Sequence, residues 1–163
     1  MVELMAKTPA LQVVAQAGTP HQIHEFKSGT SDFGAAAADS LGGDPARIFK
    51  TLVIELSTGS LAVCIIPVPE KLSLKLAAKA LGVPKAAMAE AARAQRSTGY
   101  VPGGMSPLGQ KKKLPTVIDS SALNHETIYV SAGRRGLDIE LAPNDLAMLA
   151  DASFTQLTQG NHS

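Results

Sequence analysis

The apolar and polar residues of this chain follow the two-residue repeat of strands in some segments and the longer repeat of helices in others. Residues 48–56 alternate, which predicts a strand whose buried face carries Ile48, Lys50, Leu52, Ile54 and Leu56. Ser57-Thr58-Gly59 predicts a hairpin connection to residues 61–68. Because residues 61–68 are apolar on both faces, we expect them to form a central strand of the sheet.

Capping residues and helical spacing predict the helices. Thr8 is a favoured N-cap, Pro9 suits the first helical position and Gly18 suits the C-terminal end, which together predict a helix between them. Asp44-Pro45 predicts a single tight turn of helix. Comparable signals predict an alanine-rich helix at residues 31–41, a helix at residues 74–81 capped by Ser73, a second alanine-rich helix around residues 86–95 and a last helix at residues 143–149.

The remaining segments predict a loop and several shorter strands. Residues 99–109 are rich in glycine and proline and are expected to form the loop. Strands are predicted at residues 21–26, 114–119, 127–132 and 136–141, with Gly133-Arg134-Arg135 as the turn between the last two. Strands in pairs, interrupted by helices of mixed length, predict an α+β domain with a mixed sheet.

Composition narrows the class of protein. With 163 residues, 45% of them hydrophobic and 18% charged, the chain is expected to form a single domain around one core, and disorder is excluded. The single cysteine, Cys64, cannot form an internal disulfide and fits a reducing compartment. The first residues lack the apolar segment of a secretory signal, and the strongly apolar residues 61–66 are too few to cross a bilayer. We therefore expect a cytoplasmic protein without a membrane partner.

The charge balance limits binding to nucleic acid. Fifteen lysines and arginines against 14 acidic residues leave a net charge of +1, which does not favour a general DNA-binding protein. The chain has no Trp, two Tyr and four Phe, too few aromatic side chains to stack several bases. The basic runs at residues 111–113 and 134–135 are candidate phosphate contacts or ordinary solubilising charge. An RNA ligand is therefore expected to be held locally, at one end or along one backbone stretch.

Lys50 and the loop at residues 99–109 are the strongest candidates for chemistry. The strand period points the Lys50 amine inward, where loss of solvent lowers the pKa of a lysine, although a position near the strand end would let it reach solvent. The loop can present backbone N–H groups to a phosphate or an oxyanion, or it can be a purely structural turn. Its Gly104-x4-Gly109-Gln110-Lys111 run is not a phosphate-binding P-loop, because a residue separates Gly109 from the lysine.

Other side chains with reactive groups are weaker candidates for a catalytic or binding role. Cys64 lies in the most apolar segment and is interpreted as an inert core residue rather than a nucleophile. The four histidines have no metal-ligand spacing, so no metal site is expected. Asp138 and Glu140 alternate with apolar residues, which by itself is typical of a solvated strand face.

Four ordered segments resemble the YbaK family. They are RIFKTLV at residues 47–53, RSTGY at 96–100, GGMSPLGQKK at 103–112 and YVSAGRRGLDIEL at 129–141. The likeness runs from Thr8 to Leu157 and is greatest to the branch that deacylates Cys-tRNA(Pro). It implies a YbaK-type domain at residues 8–157, with a mixed, curled sheet surrounded by helices, between short tails at residues 1–7 and 158–163.

The resemblance also implies an activity. Family members of this branch act in trans on cysteine that prolyl-tRNA synthetase has attached to its tRNA. The substrate's own thiol attacks its ester carbonyl and releases a thiolactone, with no metal or organic cofactor. The implied partners are the acceptor end of aminoacylated tRNA and prolyl-tRNA synthetase. Two alternatives remain: a water-using deacylase for alanine or another noncognate amino acid, and a non-catalytic module that binds aminoacyl-tRNA or the synthetase.

Individual positions match the family's functional residues. Lys50 matches a lysine that would orient the aminoacyl-adenosine end and favour a thiolate or a developing negative charge. The pocket loop is matched by Gly103, Gly104, Ser106 and Pro107, and its N–H groups would face the ester carbonyl or the terminal ribose. The other matching pocket positions are Phe26, Phe33, Ser131, Gly133 and Asp138, and Asp138 would hold the substrate amine or Lys50.

Two positions depart from the family pattern. Phe26 stands where close relatives carry Tyr, so a hydroxyl is missing there. Ala132 replaces a glycine, which makes that position less permissive in φ. Neither departure changes Lys50.

Overall fold

The computed structural model describes residues 8–26 and 44–159, and in them the strands form two sheets. The smaller sheet is antiparallel, in the order β1 (Gln22–Glu25), β7 (Leu137–Leu141) and β6 (Ile128–Arg134). The larger sheet has the order β4 (Ala86–Met88), β2 (Phe49–Leu56), β3 (Leu61–Pro67), β5 (Thr116–Asp119) and β8 (Ala152–Thr155). It is mixed, because β3 pairs antiparallel with β2 and parallel with β5. The predicted α+β class is confirmed.

The helices in the described residues are α1 (Pro9–Ala17), α2 (Leu74–Ala80), α3 (Ala91–Thr98) and α4 (Pro143–Ala150). The predicted caps are present: Thr8 Oγ1 accepts from the N–H of Leu11 at 3.2 Å, and Ser73 Oγ accepts from the N–H of Leu76 at 3.1 Å. Short 3-10 turns lie at Pro45–Arg47, as predicted, and at Ser120–Asn124. The predicted helix at residues 31–41 lies outside the described residues. No helix of residues 8–26 or 44–159 is long and apolar enough to span a membrane.

The hydrophobic core has two layers on opposite sides of the larger sheet. One layer joins the two sheets with α1 and α4 and includes Phe49, Val53 and Ile139. The other lies beneath α2 and includes Ile54 and Cys64. Every residue of β3 is buried, which confirms its predicted central place.

The prediction of one buried face for β2 is therefore incomplete. Phe49 and Val53 are buried from the opposite face, whereas Lys50 and Leu52 are only partly covered. The reason is that β2 lies between both core layers, so apolar residues are covered on each side of it.

Two further predictions differ from the structure. Residues 86–88 form β4 rather than the start of a helix, because Ala86 and Met88 pair with the exposed edge of β2. Helix propensity is a weak preference that such tertiary pairing overrides. The predicted turn at residues 133–135 is shifted: Gly133 and Arg134 belong to β6 after a bulge, and the chain reverses at Arg135-Gly136, where Gly136 has φ +81°.

The two sheets meet at one point. Ile48, directly before β2, forms a parallel bridge with Tyr129 of β6. This bridge connects the start of β2 in the larger sheet to β6 at the edge of the smaller one. Several of the predicted site residues lie on the strands that meet there.

Candidate active site

Polar side chains from four strands align at the junction of the two sheets. His24 of β1 pairs with Asp138 of β7, and Asp138 pairs with Ser131 of β6. Lys50 and Ser131 each follow the parallel Ile48–Tyr129 bridge by two residues on their strands. Because paired residues share a face of a sheet, His24, Asp138 and Ser131 form one row on the smaller sheet, and the bridge brings the start of β2, with Lys50, to the edge of that row. These four residues are called the Lys50 row.

The Lys50 amine is partly buried and fixed in place. Its Nζ donates to the carbonyl oxygen of Val68 at 3.1 Å, and the N–H of Val68 donates to the carbonyl of Ile48 at 2.8 Å. Ile48, Val68, Tyr129 and Phe26 pack together as an apolar wall. The predicted inward orientation of Lys50 thus places its charged group at the border of an apolar surface.

Asp138 is buried on the polar side of the smaller sheet. Its exposed fraction is only 7%, and burial raises the pKa of its carboxyl to about 7. The prediction of a solvated face from alternation alone is therefore wrong for Asp138, and its place in a pocket stays a prediction of the family resemblance. β7 is the middle strand of its sheet, so the side chains of His24 and Ser131 on the neighbouring strands flank this carboxyl on both sides.

Glu140, on the same face as Asp138, is the centre of a polar network. It accepts from His24 Nε2 at 2.8 Å and from Thr127 Oγ1 at 2.6 Å, and it forms an ion pair with Arg47 at 3.3 Å. Burial opposes ionisation of Glu140, but the hydrogen bonds from Thr127 and His24 and the charges of His24 and Arg47 lower its pKa overall.

Arg47 also lies over the ring of Tyr129, with 5.0 Å to the centroid. This network has no clear signal in the sequence, although Arg47 lies in the RIFKTLV segment and His24 lies two residues before Phe26. Histidine spacing can indicate a metal site, whereas a hydrogen-bonded His leaves no such pattern. Among the described residues, no three His, Cys, Asp or Glu side chains come together as a metal site.

The glycine-rich loop packs against the turn between β6 and β7. A Cβ on Gly104 would lie 2.9 Å from the backbone nitrogen of Arg135, so only glycine allows this close approach. Arg135 Nε also donates to the carbonyl of Pro102 at 3.0 Å. Gly103, with φ +83°, is exposed at the same point. The structure thus brings Gly103 and Gly104 next to the strand that carries Ser131.

Other predicted residues have structural contacts. Ser106 is 0% exposed, and its Oγ accepts from the N–H of Leu108 at 3.2 Å. Pro107 is buried in the same part of the loop. Gly133 donates its N–H to Ser131 Oγ at 3.1 Å, and a Cβ there would lie 2.7 Å from the ring of Tyr100. Phe33 lies outside the described residues.

Cys64 is excluded as a nucleophile. It is fully buried in the core layer beneath α2, and burial raises the pKa of its thiol to about 12. Only a thiolate attacks efficiently, and this thiol stays protonated and out of reach near neutral pH. The interpretation of Cys64 as a core residue is confirmed.

Comparison with known proteins identifies the family of this chain. The model of the aminoacyl-tRNA editing domain matches residues 28–149. An Enterococcus faecalis protein, provisionally named Cys-tRNA(Pro)/Cys-tRNA(Cys) deacylase EbsC, is 39% identical over 153 residues, which cover 93% of each chain.

Two solved structures share the fold. A structure provisionally described as a trans-editing enzyme for prolyl-tRNA synthetase superposes with a TM-score of 0.81 at 22% identity, covering 94% of this chain and 99% of the other. A hypothetical protein superposes with a TM-score of 0.85 at 23% identity, covering 93% and 100%. With a family model that matches most of the chain and a relative of nearly equal length, this chain belongs to the aminoacyl-tRNA editing domain family, the YbaK family that its motifs resemble.

Proposed function

We propose that this protein is a trans-acting deacylase that removes cysteine from mischarged Cys-tRNA(Pro), with Cys-tRNA(Cys) as a second substrate. The observation that carries the proposal is the row of Lys50, Ser131 and Asp138 beside the Gly103-Gly104 loop. The name of the Enterococcus faecalis relative supports the choice of substrate.

The substrate supplies the nucleophile in this mechanism. The cysteinyl thiol, with an ordinary pKa near ~8.5, attacks its own ester carbonyl. A carbon–sulfur bond forms, the carbon–oxygen bond to the terminal ribose breaks, and the thiol proton ends on the ribose hydroxyl. The products are a cyclic thiolactone and free tRNA. Placement alone supplies much of the acceleration of such an intramolecular reaction, and the step requires no metal or organic cofactor.

The protein's residues bind and orient this substrate. The Lys50 ammonium, held by the Val68 carbonyl, favours the thiolate and the charge that develops on the carbonyl oxygen. The Asp138 carboxyl holds the substrate's α-ammonium, and the N–H of Gly103 contacts the ester carbonyl or the terminal ribose. The N–H of Gly104 is not available for this role, because it donates to the carbonyl of Val101 at 3.1 Å. Phe26 contributes apolar surface to the wall beside Lys50.

Chemistry rather than size provides the selectivity. A pocket that sorts small side chains by fit gains only ~1–3 kcal/mol, and proline and cysteine are similar in bulk. Proline has no thiol, so correctly charged Pro-tRNA(Pro) cannot follow this reaction path even when it is bound. The aminoacyl ester of proline is therefore retained.

The experiment compares wild-type protein with the Lys50→Ala variant on Cys-tRNA(Pro) and Ala-tRNA(Pro). We expect Lys50-dependent loss of cysteine only, with the released thiolactone itself identified by mass spectrometry. Release of free alanine would instead show a water-using deacylase. Binding of both substrates without ester cleavage would show a non-catalytic module.

The same proposal places the activity in the cytoplasm with prolyl-tRNA synthetase. The synthetase makes the mischarged substrate, and the trans-editing description of one structural neighbour supports this partner. Adding purified synthetase and tRNA should raise the deacylation rate at low substrate concentration. An unchanged rate would contradict the partnership without affecting the deacylase assignment.

A further inference from the structure

A strongly basic groove lies at the C-terminal end of α3, apart from the Lys50 row. It encloses about 430 Å3 and is lined by Arg93, Arg96, Ser97, Lys111 and Lys112. Every charged residue among those lining it is positive, although the whole chain has a net charge of only +1. Such local concentration of one charge indicates a ligand of the opposite sign.

The basic side chains of the groove are not needed as hydrogen-bond donors to the last backbone carbonyls of α3. The carbonyl of Thr98 accepts from the backbone N–H of Lys111 at 2.9 Å, and the carbonyl of Ser97 accepts from that of Lys112 at 3.0 Å. The last carbonyls of α3 are thus satisfied by backbone N–H groups. The lysine side chains themselves are left on the surface of the groove.

Ion pairs divide the basic residues into two groups. Arg93 pairs with Glu55 at 3.2 Å, and Lys113, beside the groove, pairs with Asp151 at 3.0 Å. Within residues 8–26 and 44–159, by contrast, no acidic side chain forms an ion pair with Arg96, Lys111 or Lys112. These three exposed cations are therefore available to an external anion.

The groove is connected to the Lys50 row by a single short loop. This loop starts at Gly99, directly after α3, and ends at Lys111 on the groove. Midway along it, Gly104 contacts the turn between β6 and β7. The loop that carries the Gly103-Gly104 pair of the candidate site is therefore anchored at both ends beside the groove.

We propose that this groove, formed by Arg96, Lys111 and Lys112, binds the sugar–phosphate backbone of the acceptor arm while the aminoacylated end occupies the Lys50 row. The choice of RNA rests on the proposed function. The lining supports a polyphosphate backbone over a protein surface, because the described residues that form it include no aromatic or large apolar side chain of the kind that anchors protein interfaces. Binding through phosphates is also independent of base sequence, which suits a chain poor in aromatic residues.

The test measures binding of uncharged tRNA by fluorescence anisotropy at several salt concentrations. The Arg96→Ala/Lys112→Ala variant should bind on the order of tenfold more weakly at low salt, and its log–log salt slope should fall by about two, one for each lost phosphate contact. The control is Lys75→Ala/Lys79→Ala, which removes two exposed charges from α2 and should retain wild-type binding. Equal losses in both variants, or unchanged binding in the groove variant, would overturn the proposal.

A second measurement separates this inference from the deacylase assignment. With 3′-cysteinyl-adenosine, which lacks the acceptor arm, the groove variant should match the wild-type rate, whereas with Cys-tRNA(Pro) its KM should rise without a change in kcat. Equal losses on both substrates would refute a role in backbone binding. If wild-type protein cleaves neither substrate but groove-dependent tRNA binding persists, the proposed function fails and the groove assignment stands.

Discussion

Ionisation of Asp138 should make the protein less stable as the pH rises. Burial raises the pKa of this carboxyl from 3.8 to about 7. Below pH ~4 the carboxyl is protonated in both the folded and the unfolded chain, and it has no effect on the free energy of unfolding. Between these two pKa values only the unfolded chain loses its proton, so folding becomes less favourable with each pH unit.

The size of this effect follows from the shift. About three pKa units at 1.36 kcal/mol each correspond to roughly 4 kcal/mol of lost stability at pH 8. The Asp138→Asn variant has a similar shape but cannot ionise, so it should avoid this loss. Relative to wild type it should be more stable by up to about 4 kcal/mol at pH 8, and the gain should disappear near pH 4.

The assay is urea denaturation of wild-type and Asp138→Asn protein from pH 4 to 8. Subtracting one curve from the other removes the contribution of the histidines and other titrating groups, which both proteins share. A stability difference that stays constant across this range would show that Asp138 keeps an ordinary pKa and would refute the argument from burial. A steeper fall for the variant than for wild type would reverse the predicted sign.

Three further changes test the rest of the site. Glu140→Gln should lower stability by about 1–3 kcal/mol at neutral pH, because the partners of the carboxylate lose a charged acceptor. Since the pKa of Glu140 is lowered in the folded protein, urea denaturation should show this difference in stability shrinking as the pH falls through that pKa. Gly104→Ala should reduce deacylation at least about tenfold with unchanged circular dichroism, because the added carbon meets backbone at 2.9 Å. Gly59→Ala is strained by its φ of +93° but meets nothing within 4 Å, so it should lose some stability and retain the rate, and equal loss of rate in both variants would contradict the packing argument. Cys64→Ala should keep the wild-type deacylation rate while losing about 1–2 kcal/mol of stability, since this thiol is buried in the core. A deacylation rate as low as that of Lys50→Ala would overturn the assignment of Cys64 as a core residue.

Local signals in the sequence were sufficient for several elements. The N-caps at Thr8 and Ser73 depend on side chains that bond to N–H groups three residues away, so their effect can be predicted from neighbouring residues alone. The wholly apolar β3 was likewise predicted as central. Its lack of any polar face leaves only the middle of a sheet as a favourable place.

Other elements depended on distant partners. Residues 86–88 have the composition of a helix and form a strand because β2 has an unpaired edge there. The strand β8 was not predicted at all, since its four residues gain their pairing only from β5, more than thirty positions earlier. Intrinsic secondary-structure propensity is weak over so few residues, so the pairing strand determines their conformation.

The candidate site shows the same division. Alternation along β2 identified the inward position of Lys50, and the family motifs pointed to Asp138. Only the tertiary structure showed that Asp138 is buried and that Arg47, Thr127 and His24 converge on Glu140. Strand periodicity determines which side of a strand a residue occupies. Strand order and register determine which residues lie opposite a given residue. Both depend on core packing between segments that are far apart in the chain.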